Sequence, residues 1–206
     1  MTISMRLLVL NGIVFFFQFS ANPMLLEWFA LWPAGGPEYA PFQGQMVAVP
    51  QFYPWQLLTY GFLHGSISHL FFNMLALGMF GPRVEAYMGS RRFLTYYLTC
   101  LIGAGLIQLV VASTSDMVYP TVGASGAIFG ILLAFGLFFP NHIIMLIIPP
   151  IPMKAKWFVL VFGGIELLMG VTGVMPQVAH FAHLGGMLFG FLLLLYWGRG
   201  GRRGRQ

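Results

Sequence analysis

The chain has 206 residues, of which 58% are hydrophobic and 7% charged, against about 25% charged in an ordinary soluble domain. Together with a mean hydropathy of +0.81, this excludes a soluble globular enzyme, a disordered tail and a nucleic-acid binder. A single cysteine, Cys100, excludes an internal disulfide framework, and the net charge of +5 takes its meaning from where the charges fall.

Six apolar stretches predict spanning helices, each near the ~20 residues a bilayer core requires. The first, Met5–Phe19, begins beside Arg6, as the apolar run of a signal peptide begins beside a basic residue. Its end, Phe19-Ser20-Ala21-Asn22, lacks a small-x-small cleavage site, so a retained helix is expected. The connection over about residues 20–66 is long and carries Trp28, Trp32, Trp55 and several prolines. Trp and Tyr favour headgroup depth, which predicts short amphipathic helices lying partly in the outer leaflet. Spans two, three and four follow as Ile67–Ala86, Phe93–Ala112 and Val122–Phe139. The connection Pro140 to Lys156 is apolar, but its prolines (Ile147-Ile148-Pro149-Pro150-Ile151-Pro152) argue against another spanning helix. Spans five and six are Trp157–Gly173 and Val178–Trp197, followed by a basic tail, 198–206. The expected architecture is an all-α membrane protein, one six-transmembrane-helix domain over 1–206.

Charge placement agrees with this count. Arg6 lies at the start of span one; Arg83, Arg91 and Arg92 flank the connection between spans two and three. Lys154 and Lys156 lie between spans four and five, and Arg199, Arg202, Arg203 and Arg205 follow span six. Basic residues near span ends mark the cytoplasmic face, so both termini are expected there. The tail reads as a topology anchor first and a binder of anionic lipid second, with no nucleic-acid partner.

Polar groups inside a span are costly unless paired or wetted, which makes the exceptions informative: His69 and Asn73 in span two, Ser125 at the start of span four, Glu166 in span five, His180 and His183 in span six. At 1.5 Å per residue, Ser125 sits roughly 5–8 Å and His183 roughly 8–11 Å below the outer boundary. His69 and Asn73, four apart, share one helix face there. Gly126 with Gly130, and Gly186 with Gly190, form G-x-x-x-G pairs that let spans four and six approach closely. Serine and a histidine would then come within hydrogen-bonding reach. A serine hydroxyl needs an adjacent base to become a nucleophile, and a neutral imidazole, His183 or His180, can supply it. The oxyanion formed on attack needs fixed donors; Asn73, His69 and the Ser125 N–H qualify. Gly123, Ala124 and Gly126 would let a substrate backbone come near. Glu27, Glu38 and Asp116 are outside, Glu85 is near the inner face and Glu166 reads as too deep, so a dyad is expected rather than a triad. With no H-E-x-x-H and no further ligand evident, no metal is expected, and the chemistry calls for no cofactor.

These residues carry a family resemblance. Gly123-Ala124-Ser125-Gly126 resembles the G-x-S-G of rhomboid intramembrane serine proteases. Ala182-His183-Leu184-Gly185-Gly186 with Gly190 is similar to their A-H-x-x-G-x-x-x-G, and His64 to Asn73 to their H-x-x-x-x-H-x-x-x-N. The resemblance implies Ser125 as nucleophile and His183 as base, since His180 lacks the glycine context. It implies His69 and Asn73 as the oxyanion-stabilising pair. Phe129 stands where relatives often carry a tyrosine that packs on the catalytic imidazole. Trp55-Gln56 takes the place of a Trp-Arg pair, and Glu85 with Gly89 matches a structural E-x-x-x-G.

The function expected is intramembrane serine endopeptidase, cutting single-span membrane proteins in or near their transmembrane segments. The membrane expected is a prokaryotic plasma membrane, with the site opening to its outer face. Two other readings stand beside it: a non-catalytic rhomboid-like protein that binds membrane-protein clients, and a small channel or transporter prompted by Glu166 and the buried histidines. His64 and His142 read as structural and solvated, respectively.

Overall fold

The computed structural model describes residues 1–20, 22–42, 45–114, 119–145, 150–174 and 178–203. The parts of the sequence reading that fall on Ala21, Asp116, 147–149, Pro176 and Arg205 lie outside these residues. The described chain is mostly helical. In order it forms α1 (Ile3–Ser20), α2 (Asn22–Phe29), a hairpin of β1 (Tyr39–Phe42) and β2 (Gln45–Ala48), α3 (Gln56–Thr59), a 3-10 turn (Tyr60–Phe62), α4 (Ile67–Met88), α5 (Ser90–Ala112), α6 (Ser125–Phe138), a hairpin of β3 (Ile143–Met145) and β4 (Pro152–Lys154), α7 (Ala155–Thr172) and α8 (His180–Arg203). Three helices are long and apolar enough to cross a membrane: α5, α7 and the His180–Gly198 part of α8. Ile3–Phe19 and α6 are shorter apolar helices.

Each expected span corresponds to a helix, with shifted ends. The fourth begins at Ser125 rather than Val122, because Gly123 has φ +122°, a backbone setting that ends extended chain and leaves the helix to start two residues on. The long first connection holds the expected short helices, α2 and α3, and also an antiparallel hairpin, Tyr39 pairing with Ala48 and Phe42 with Gln45. The proline-rich connection after α6 is not a helix: Ile143 pairs with Lys154 and Met145 with Pro152.

The core sits where α5, α6 and α8 meet. Phe93, Tyr96, Tyr97 and Leu101 of α5 and Ile131 and Phe135 of α6 are buried there. Small residues set the spacing of α6 and α8. A Cβ at Gly186 would run into the Gly126 carbonyl, and one at Gly130 or Gly190 into Cys100. The paired G-x-x-x-G segments therefore do what their spacing predicts.

Contacts gather the basic residues at one end of the bundle. The backbone N–H groups of Ile3 and Ser4 donate to Glu85 at 2.8 Å, seating the start of α1, and with it Arg6, against the α4–α5 junction that carries Arg83, Arg91 and Arg92. Gly89, at φ +83°, ends α4 and starts α5 in one residue. Arg83 reaches His142, whose carbonyl accepts from Ala155 N at 2.8 Å, bringing in Lys154 and Lys156. Arg92 lies 5.6 Å over the Trp197 ring, adding the far end of α8. Ser125 and His183 lie at the opposite ends of their helices.

Candidate active site

The segment leading to Ser125 is held from both sides. Leu31 and Thr121 exchange backbone hydrogen bonds of 3.0 and 2.9 Å, and Gly123 N donates to Tyr60 O at 2.9 Å. Tyr60 is in turn fixed by its hydroxyl donating to Leu101 O at 2.7 Å. Residues of the first connection therefore set the entry to α6. Gly123 is required twice over: its φ is +122°, and a Cβ there would stand 2.7 Å from the His69 ring. Ser125 is the first residue of α6, where the leading N–H groups have no intrahelical partner. Those N–H groups and the hydroxyl share one helix end.

α8 brings the imidazole. His183 Nε2 lies 2.7 Å from Ser125 Oγ, within reach for proton transfer. Phe129, one turn along α6, stacks on the His183 ring with centroids 4.4 Å apart and planes 6° apart. The ring alone holds the imidazole flat, and no hydroxyl is needed for that. His69, Asn73, Gly123, Ser125, Gly126, Phe129 and His183 all line one cavity of about 860 Å³. Asn73 is buried and donates to the His69 carbonyl at 3.1 Å. His69 receives its N-terminal support from Ser66, whose side chain accepts from His69 N at 3.1 Å. These seven residues thus line the same space.

One expectation is overturned, and one open alternative is narrowed. Glu166 is not too deep. It lies six residues before the C-terminal end of α7 at Thr172, about 9 Å at the helical rise. Its Oε2 is 2.9 Å from His183 Nδ1 and 2.7 Å from His180 Nδ1. The signal that would have found it was in the sequence: reckoned from the outer ends of spans five and six, Glu166 and His183 sit at matching depth. The open alternative is His180 as the base. It does not face the cavity; its Nε2 is 3.1 Å from Val174 O, so it bonds to α7 and the turn that follows.

The first connection is anchored without a charge at position 56. Gln56 is fully buried; its Oε1 accepts from Trp32 N at 3.2 Å, and its amide donates to Gln51 O at 3.3 Å and Trp28 O at 3.4 Å. Trp55 stacks on Tyr53 at 4.5 Å, and Tyr53 on Trp28 at 5.7 Å. His64 is buried between the 3-10 turn and α4, edge-on to His69, and burial pushes its imidazole down to about 4. It is neutral at pH 7 and acts as packing. His142 is exposed, as expected.

A model of the rhomboid domain matches residues 51–200. The chain belongs to the rhomboid family. It is similar to mitochondrial rhomboid protein 1 of Saccharomyces cerevisiae, 32% identical over 147 residues, which cover 70% of this chain and 42% of that protein. RHOMBOID-like protein 4 of Arabidopsis thaliana is 34% identical over 140 residues, 68% of this chain and 33% of its own. Rhomboid protease GluP of Bacillus subtilis is 47% identical over 78 residues, 38% of this chain and 14% of that protein. The chain therefore spans less than half the length of these relatives. It is a membrane protein with apolar helices long enough to span, in a family that includes named proteases.

Proposed function

We propose that this rhomboid is an intramembrane serine endopeptidase acting on single-span membrane proteins. The observation that carries the reading is the 2.7 Å contact between Ser125 Oγ and His183 Nε2 at the wall of the cavity. In the proposed reaction Ser125 Oγ attacks the scissile carbonyl carbon while its proton passes to His183 Nε2. The carbonyl π pair moves to oxygen. That oxyanion is met by the free N–H groups at the start of α6 and by His69 and Asn73. On collapse the C–N bond breaks and the leaving amine takes the proton from Nε2. Water, activated by the same imidazole, then hydrolyses the acyl-serine.

The gathering of basic residues at the far end of the bundle supports a six-span arrangement with both termini cytoplasmic. The site then opens to the outer face, below membrane level, where the cavity supplies water. The proposed location is a prokaryotic plasma membrane; the relatives include bacterial and mitochondrial proteins alike. A substrate helix hides its carbonyls in its own hydrogen bonds, so segments weakened by Gly, Pro or small residues are the expected targets. The test is cleavage of a single-span reporter in proteoliposomes. Wild type should cut it and folded Ser125→Ala should not; cleavage kept in Ser125→Ala would refute the reading.

A further inference from the structure

Ser125 and His183 do not end the hydrogen-bonded chain. Glu166 Oε2 lies 2.9 Å from His183 Nδ1 and 2.7 Å from His180 Nδ1, and His180 Nε2 lies 3.1 Å from Val174 O. The Glu166 side chain is 13% exposed and the two histidines 5% and 10%. These contacts join α6, α7 and α8 in one chain of partners.

Donor and acceptor accounting fixes where the protons are. A backbone carbonyl only accepts, so His180 Nε2 carries a proton. Two lone-pair atoms cannot rest 2.7 Å apart, so a second proton lies between His180 Nδ1 and Glu166 Oε2. A third lies on His183 Nδ1, pointing at the same oxygen. That leaves His183 Nε2 bare and facing the Ser125 hydroxyl, the tautomer a general base requires. With one proton shared between His180 and Glu166, the cluster as a whole is neutral, which suits a site below the membrane surface. A metal fits less well. Ligands on a tetrahedral zinc with bonds of 2.0–2.1 Å stand about 3.3 Å apart, and the spacings here are those of hydrogen bonds.

The geometry points to Glu166 as a positioning residue for His183, completing a Ser-His-Glu set, with His180 as the residue that holds Glu166 in place. Glu166 fixes the His183 tautomer and faces the imidazolium formed when Nε2 takes the Ser125 proton. It does not itself take that proton; the shared one shifts toward His180 as the carboxylate charge is needed. This role rests on the serine-protease reading.

The test is the rate of Ser125 phosphonylation by a fluorophosphonate probe, measured against probe concentration in the full-length protein and normalised to folded protein. Glu166→Leu should lower the limiting rate constant about a hundredfold or more with half-saturation by probe unchanged. Glu166→Gln keeps an acceptor oxygen but not the charge, and should fall between that variant and wild type. His180→Ala should slow labelling by less than Glu166→Leu, because Glu166 remains. Equal limiting rates in wild type, Glu166→Gln and Glu166→Leu would overturn the role. So would a purified wild type that holds stoichiometric metal and speeds up on chelation, since the three residues would then be its ligands. No labelling of folded wild type would instead sink the protease reading beneath it.

Discussion

Two carboxylates sit among helices here, Glu85 buried and Glu166 partly exposed, and they are wired differently. Glu85, on α4, accepts from Ile3 N, Ser4 N and Ser4 Oγ at 2.8 Å and from Ser90 Oγ at 2.6 Å. All four donors are backbone amides or hydroxyls that keep their protons. Its charge sits at the start of α1, where the helix dipole and unpaired N–H groups favour an anion. Glu166 lies within hydrogen-bonding distance of two imidazoles, one of which touches a serine. Its partners are imidazoles, which can carry a proton on either ring nitrogen. The first carboxylate ties a helix end down; the second is connected to groups that move protons. Both are largely withdrawn from solvent, and it is the chemistry of their partners that distinguishes them.

The sharpest way to break that contrast is at the serine end. Ser125→Ala and His183→Ala should each lower proteolysis about ten-thousandfold or more while the melting temperature hardly moves, read by reporter cleavage and thermal unfolding on the same preparations. Glu85→Gln should do the reverse. It leaves buried donors facing an amide NH2, at a cost of about 2–3 kcal/mol, and activity per folded molecule should be kept. A melting curve beside active-site titration checks it. Gly186→Ala should lower both readouts together, because the new methyl meets the Gly126 carbonyl and overpacking costs about 1–3 kcal/mol. Phe129→Leu should have the smallest effect. Loss of the stack on His183 is worth about 0.5–1.5 kcal/mol, or about 2- to 12-fold in labelling rate, with stability little changed.

The helices were legible because long apolar runs have few alternatives in lipid. Ser125, His183, His69 and Asn73 were legible because polar groups stand out in such runs. Glu166 was visible by the same rule, but its depth was misjudged and it was set aside as too deep. Sequence distance along one span says little about level until both span ends are fixed. The β3–β4 hairpin was not legible: strands of three residues carry too little period to read, and their pairing depends on contacts with His142 and α7. Gln56 shows a different gap. It stands where the resemblance places an arginine, and three backbone groups make a neutral amide a sufficient anchor. The stacking of Phe129 on His183 shows why a tyrosine hydroxyl is dispensable at that position.

The most direct measurement is to label folded protein in lipid with a fluorophosphonate and map the adduct by peptide mass analysis. The account predicts a single adduct, on Ser125, absent from His183→Ala. An adduct on another serine, or labelling of Ser125 that survives loss of His183, would contradict it.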